Sequence, residues 1–273
     1  MKGLTLSFNH SLGHIRACPA TALVSFVKKP LESNLDQRAR FLKTEGMRIA
    51  ILSDIHQSVH WRHIIEQKAD FDKIIFLGDE FDAWKNKWPL QMDNAENIIA
   101  FKKENPEKVD LCWSNHAVSY FLDERCSGYQ AEHAMDIVNF YQKNMDLYNV
   151  VYEYDHWIFS HGGVSGKWLQ RCELSDLNEI NQLWRENPYY FRWVGPDGFG
   201  NNPDEGPLWI RPTALINNCV PGYNQVTGHT ENIQPRIVRK YRLIFVFCDT
   251  FAHNYLTVLD TEKNDVDFIK LNE

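Results

Sequence analysis

A chain of 273 residues with 44% hydrophobic and 13% aromatic side chains can close one large core, which excludes a disordered polypeptide. No apolar run approaches the roughly 20 residues of a membrane helix, so no membrane partner is expected. The net charge is −7, but seven of the 29 basic and three of the 36 acidic residues fall in 1–46, leaving 22 against 33, or −11, for the remainder. A body that acidic is poorly suited to gripping a phosphate backbone, and nucleic acid is not the expected partner.

Residues 1–46 show no clear periodicity, hold no acidic residue before Glu32 and lack the layout of a signal peptide. They read as a leader or appended segment, poorly packed, ahead of one domain over 47–273. The cysteines Cys18, Cys112, Cys126, Cys172, Cys219 and Cys248 are scattered without a C-x-x-C pair. Reduced thiols and a cytoplasmic or other reducing compartment are therefore expected.

From residue 47 the pattern alternates strand and helix. Met47-Arg-Ile-Ala-Ile-Leu-Ser-Asp54-Ile-His56 reads as a buried strand that delivers a carboxylate and an imidazole at its end. A helix is predicted over 58–68. Lys73-Ile-Ile-Phe-Leu-Gly-Asp79 is a second strand ending on a carboxylate. A helix follows over 89–104, with Pro89 at its start and Ile98, Ile99 and Phe101 on its apolar face. The run from Val109 ends on Asn115 and His116, and residues 130–146 form a long amphipathic helix. Strands at 149–154 and 156–160 are joined by a tight turn at Tyr154-Asp155, and the second ends on His161. Helices are predicted at 164–172 and 175–186. Residues 187–207, rich in Pro, Gly, Asn and aromatic side chains, form a long functional loop. Strands follow at 223–228, ending on His229, and at 236–240, 242–248, 254–259 and 265–270.

Five apolar runs thus carry oxygen or nitrogen donors at the same end, where open α/β sheets build their sites. Alone, an Asp at a strand end caps a helix and a loop His is simply hydrogen-bonded. Together, Asp54, His56, Asp79, Asn115, His161 and His229 supply three imidazoles, two carboxylates and an amide, a set suited to Mn, Fe or Zn. Six donors are too many for one ion that must keep a position open. They are expected to hold two divalent or trivalent ions that share Asp79, with Asp54 and His56 on one and Asn115, His161 and His229 on the other. Such a pair can hold a hydroxide and clamp both oxygens of an in-line displacement at phosphorus. Trp84, Trp88, Trp193, Tyr189, Tyr190 and Phe191 either wall the pocket or pack in the ordinary way.

The order D-x-H, G-D-x-x-D, N-H, H-G-G and G-H-T resembles the calcineurin-like metallophosphoesterases over nearly all of 47–260. Gly206-Pro-Leu-Trp-Ile-Arg211-Pro and Cys248-Asp249-Thr250 are similar to segments of its phosphoprotein-phosphatase and symmetrical dinucleoside-tetraphosphatase branch. The resemblance implies two face-to-face mixed β-sheets flanked by helices, a four-layer α/β sandwich. It implies His116 as general acid with Asp82 orienting it, and Arg211 is a candidate for binding phosphate. The sequence departs from the family at Ala83-Trp84, where that branch has Arg-Gly. It departs again at Ser114 and Ala117, which flank Asn115-His116 in place of a Gly and an acidic residue. Glu231 stands where many members have a second His. The expected function is hydrolysis of phosphate esters or anhydrides, as a phosphomonoesterase acting on a phosphorylated small molecule or phosphoprotein. The alternatives are a dinucleoside polyphosphate or nucleotide pyrophosphatase, and a degenerate member serving as a binding scaffold.

Overall fold

Two mixed sheets arise from the alternation of apolar strand and helix. The computed structural model describes residues 46–56, 58–83, 88–122, 124–195, 199–250 and 255–271; apart from Gly46, the expected leader lies outside them, as does Trp84. In chain order the first half runs β1 (Arg48–Leu52), α1 (Arg62–Glu66), β2 (Lys73–Phe76), α2 (Trp88–Glu104), β3 (Val109–Cys112), α3 (Asn115–Leu122), α4 (Ala134–Asn144) and β4 (Tyr148–Asn149). The second half runs β5 (Val151–Tyr154), β6 (Trp157–Ser160), α5 (Gly166–Arg171), α6 (Leu177–Glu186), α7 (Pro212–Asn217), β7 (Asn224–Thr227), β8 (Arg236–Lys240), β9 (Leu243–Phe247), β10 (Tyr255–Asp260) and β11 (Asp265–Lys270).

The first sheet has the order β11-β10-β1-β2-β3-β4 and the second β5-β6-β7-β9-β8. Strands β1 to β4 pair in parallel, as do β6, β7 and β9, while β10, β11, β5 and β8 add antiparallel edges. Alternation along β1 and β2 decides the layers. Ile49, Ile51 and Ile75 face Trp157, Phe159, Val226 and Val246 of the other sheet. Ala50, Leu52, Ile74 and Phe76 face the other way, onto Ala95, Ile98, Ile99 and Phe101 of α2. Phe245 and Phe247 turn from the inter-sheet layer to Ala214, Leu215 and Ile216 of α7. The four-layer sandwich is thus three apolar seams between layers.

Three local expectations change, and two helices are new. The helix predicted over 58–68 contracts to α1 and a 3-10 turn at Lys68–Asp70. Helices α3 and α7 were not legible as helices. Ser114 begins α3: its Oγ accepts from the Ala117 N–H at 3.4 Å and also from the Asp79 N–H at 3.1 Å. The strand expected at 149–154 is divided between the sheets. Asn181 of α6 causes the split: its Oδ1 accepts from the N–H of Val150 and Val151 at 2.7 and 3.1 Å, holding the backbone between β4 and β5. The hairpin turn sits one residue later than expected, at Asp155 and His156, with φ of 49° and 66°; two left-handed central residues suit the twist of β5 and β6.

Candidate metal centre

Every parallel strand that ends near the middle of the sandwich contributes to one point. Asp54 and His56 follow β1, Asp79 and Asp82 follow β2, and Asn115 and His116 open α3 after β3. From the second sheet, His161 follows β6, His229 follows β7 and Asp249 follows β9. The chain makes these turns at a conformational cost. Asp54, His56, Asp79, Asp82 and His229 have φ between 45° and 65°, the left-handed region that non-glycine residues avoid. Gly78 at φ 97° allows the approach of α3, since a Cβ there would lie 2.6 Å from the Ser114 Cβ. Gly228 does the same for β1, because its Cβ would collide with Ser53 Oγ and Asp54 Oδ2.

Asp79 is central. Its Oδ2 lies 3.9 Å from His56 Nε2, 3.6 Å from His161 Nε2 and 3.9 Å from His116 Nε2. Asn115 Oδ1 is 2.6 Å from His161 Nε2. The His229 N–H donates to both oxygens of Asp54 at 3.2 and 3.1 Å, and its ring centroid is 5.1 Å from that of His161. The structure therefore brings together all six donors singled out in the sequence.

Their orientation fits cations. His56 Nδ1–H donates to the Phe81 carbonyl at 2.7 Å and His161 Nδ1–H to the Leu77 carbonyl at 2.8 Å, so each ring turns its Nε2 lone pair inward. For His161 that nitrogen faces the side-chain amide oxygen Oδ1 of Asn115, two acceptors 2.6 Å apart that a shared cation would satisfy. Asp79 Oδ1 and His229 Nε2 are buried and make no hydrogen bond among the described residues. Leaving such atoms unpaired costs about 1–3 kcal/mol each unless something else coordinates them. The carboxylates and imidazoles also form two tight groups, His56 with Asp79 and His116, and Asp54 with Asp79 and His161.

Burial and charge divide the protonation states. Burial pushes the Asp79 carboxyl up, but His116, His161 and His56 together outweigh it and hold Asp79 below the usual carboxylate range. Asp54 is raised, by burial first and by Asp79. Burial, with His161 and Arg211 adding to it, holds His229 well below the ordinary imidazole value, so it is neutral and has a lone pair to offer. His116 goes the other way: burial lowers it, but Asp79 and the hydrogen bond to Asp82 raise it well above.

His116 and Asp82 form a built pair. His116 Nδ1 bonds Asp82 Oδ2 at 2.7 Å, and Asp82 is fully buried. Tyr120 donates its hydroxyl to Asp82 Oδ1, and Gln130 reinforces both through its N–H to Tyr120 Oη at 2.9 Å. Arg211 is anchored at the rim, its Nε donating to the Phe199 carbonyl at 2.5 Å and its Nη1 to Thr230 Oγ1 at 3.2 Å. The aromatic candidates separate. Phe191 is core, packed on Trp168 and Trp184, and Trp88 stacks on His133 at 4.1 Å. Trp193 reaches the site through Trp209, whose ring meets His229 edge-on at 5.9 Å.

Sequence reasoning gave Asp249, Cys126 and Glu80 no role in the site. Asp249 is pushed up to about 9, by burial first and then by Asp54. Cys126 Sγ lies 3.3 Å from His116 Nδ1. Glu80 is buried beneath the site and accepts the hydroxyls of Tyr141 and Tyr148 at 2.9 and 3.2 Å. The strand-end position of Asp249 within the Cys248-Asp249-Thr250 segment and the adjacency of Glu80 to Asp79 were signals in the sequence; Cys126 had none.

Residues 47–248 match the calcineurin-like phosphoesterase family. The chain belongs to that family. This phosphoesterase is a hydrolase whose family works with a dinuclear metal centre, and its His and Asp groups offer one. No curated protein matches it in sequence. Its fold is similar to that of a cold-active protein-tyrosine phosphatase of a psychrophilic Shewanella species, at TM-score 0.55 and 15% identity over 81% of this chain and 80% of that one. It is similar also to a protein serine/threonine phosphatase from Saccharomyces cerevisiae, at TM-score 0.51 and 12% identity over 83% and 80%. At these identities the likeness is one of fold.

Proposed function

We propose that this phosphoesterase is a phosphomonoesterase that protonates its leaving group from His116. The observation that supports this most is the aim of that imidazole. Its Nδ1 is held from behind by buried Asp82, and its Nε2 points to the same carboxylate oxygen of Asp79 that His56 and His161 face.

Asp54 and His56 would hold one cation, Asn115, His161 and His229 the other, and Asp79 both. Bound there, the pair would neutralise phosphate oxygens and make a nucleophile of water at neutral pH. The remaining work falls to this chain's own side chains. Arg211, oriented by Phe199 and Thr230, presents its remaining N–H groups to non-bridging phosphate oxygens, a bidentate match for a guanidinium. His116 gives the proton on Nε2 to the leaving oxygen, and Asp82 stabilises the protonated ring beforehand. Tyr120 and Gln130 keep Asp82 in place. Trp209 packs edge-on against His229 on that side.

Phosphoproteins and phosphorylated small molecules are both candidate substrates. With Ala83 at the place of a second phosphate-gripping arginine, Arg211 works alone, which suits one terminal phosphoryl group. The Trp193–Trp209 wall supports a second reading, a nucleotide pyrophosphatase whose base stacks on those rings.

With Mn the full chain is expected to hydrolyse p-nitrophenyl phosphate, and Asp79→Asn to abolish turnover and lower bound metal in elemental analysis. Intact fold with neither metal nor turnover in the parent protein would leave a binding scaffold instead. A panel of phosphopeptides, sugar phosphates and dinucleoside polyphosphates separates the two hydrolase readings.

A further inference from the structure

We propose that Cys126, His116 and Asp82 form a third metal site, selective for zinc and inhibitory, behind the proton donor and apart from the paired-ion centre. The inhibitory part rests on the acid role of His116 argued above; the site itself rests on geometry alone.

The three ligand atoms already stand close to the spacing of a tetrahedral zinc site. Zinc bonds of about 2.3 Å to sulfur and about 2.0–2.1 Å to nitrogen or oxygen place neighbouring ligand atoms about 3.3–3.6 Å apart. Cys126 Sγ lies 3.3 Å from His116 Nδ1 and 3.8 Å from Asp82 Oδ2. The remaining edge, His116 Nδ1 to Asp82 Oδ2, is a hydrogen bond of 2.7 Å. It need open by only about 0.6 Å to admit the ion.

The segment carrying the thiol is fastened to the donor pair. Gly128 packs directly on Asp82, where a Cβ would lie 2.8 Å from the Asp82 carbonyl oxygen. Gln130 is tied to Tyr120 Oη through its backbone and approaches Asp82 Oδ1 at 3.5 Å through its side-chain amide. Cys126 is half-buried between the exposed residues Arg125 and Ser127, so an ion reaches the thiol from solvent without crossing the paired-ion centre. That leaves the fourth position of the tetrahedron for water.

The donor set also selects the metal. A thiolate, an imidazole and one carboxylate suit zinc, whereas the oxygen-preferring Mn and Mg gain little from sulfur. Binding releases the thiol proton and the Nδ1 proton to solvent. His116 then keeps its remaining proton on Nε2 as part of a neutral, metal-bound ring, and Asp82 no longer stabilises an imidazolium. The residue stays in place, but zinc on Nδ1 takes the place of the proton that made the ring an imidazolium acid. Zinc at this site therefore slows esters with poor leaving groups and spares those with good ones.

The test uses the full chain loaded with Mn, then titrated with Co or Zn. Cobalt is expected to give a thiolate-to-metal charge-transfer absorption that zinc displaces and that is absent in both Cys126→Ser and Cys126→Ala. Zinc is expected to inhibit release of phosphate from an alkyl phosphate at least about tenfold more strongly than from p-nitrophenyl phosphate. In either variant the half-inhibiting zinc concentration, taken against that variant's own zinc-free rate, should rise at least about tenfold, the cost of losing a ligand. No thiolate band in the parent protein, or an equal band in both variants, would overturn the site. A Cys126-dependent band with equal inhibition of both esters would overturn the inhibitory role through His116. A Mn-loaded protein that hydrolyses neither ester would instead sink the phosphomonoesterase reading, and the cobalt band would still decide the site.

Discussion

At His116 the two ring nitrogens have different tasks. Nδ1 is fixed by a carboxylate that Tyr120 and Gln130 hold in turn, and Nε2 faces the shared Asp79. Removing the ring should leave the paired-ion donors intact. His116→Ala is expected to keep its metal content but to lose about 10²–10⁴ in turnover on alkyl phosphates, with a smaller loss on p-nitrophenyl phosphate. An unchanged rate on the alkyl ester would refute the acid role. Arg211 belongs to binding, since its guanidinium is poised at the rim and pulled down from its ordinary value by burial. Arg211→Ala should raise KM for phosphate esters about tenfold or more, the worth of a charge-assisted hydrogen bond, with the fold unchanged. Steady-state kinetics with a thermal melt separates this from mere loss of packing.

At the scale of an element, the β5–β6 hairpin shows strain that function does not require. Asp155 and His156 both take left-handed φ. The Asp155 carboxylate accepts the Thr261 hydroxyl at 2.7 Å, while the His156 ring meets Tyr223 only loosely, at 6.3 Å between centroids. His156→Gly keeps the Asp155 bond and creates an Asp-Gly turn, the combination such hairpins prefer. Relief of the left-handed penalty is expected to stabilise the protein by about 1 kcal/mol, read as a higher urea midpoint at constant m-value. The strand-end turns at Asp54, Asp79 and His229 are the opposite case. Their strain is held in place by two sheets and by the close fits at Gly78 and Gly228. Gly78→Ala should cost both stability and bound metal, because it forces α3, with Asn115 and His116, away from Asp79. Elemental analysis beside a denaturation curve reads both.

Across the whole molecule, charge under the site links stability to pH. Burial pushes Glu80 up to about 7 from its ordinary 4.5, with Tyr141 and Tyr148 opposing the shift through their hydroxyls. The folded state thus prefers the protonated acid. That preference is fully present below pH 4.5 and is lost as pH rises through about 7, because over that range the folded protein binds the proton that the unfolded chain has released. The ionised carboxylate then costs up to about 3 kcal/mol. Glu80→Gln should flatten the fall in stability between pH 5 and 8 relative to the parent at the same metal concentration, and denaturant midpoints at those two pH values would show it. Chelation acts on the same region: without cations the clustered carboxylates of Asp54, Asp79 and Asp249 repel one another. EDTA should lower Tm, and excess Mn should restore it.

The sequence by itself determined the strand ends. Apolar runs stopping on Asp54, Asp79, Asn115, His161 and His229 carried their own signal, because a buried strand must be apolar and a site must be polar, and the change falls at one residue. The alternation of strand and helix was legible for the same reason, while the two-sheet layering was implied only by the family resemblance. Other features were decided only by tertiary contact. Val150 sits between the sheets because Asn181, thirty-one positions along the chain, claims its backbone. Ser114, a departure from the family's glycine, starts α3 and bonds the Asp79 amide, a partner that packing supplies. Cys126 meets His116 through a segment whose composition says nothing of its destination. Periodicity records which face of an element is buried; it does not record which distant polar atom will be waiting there, since that pairing exists only once the layers have closed.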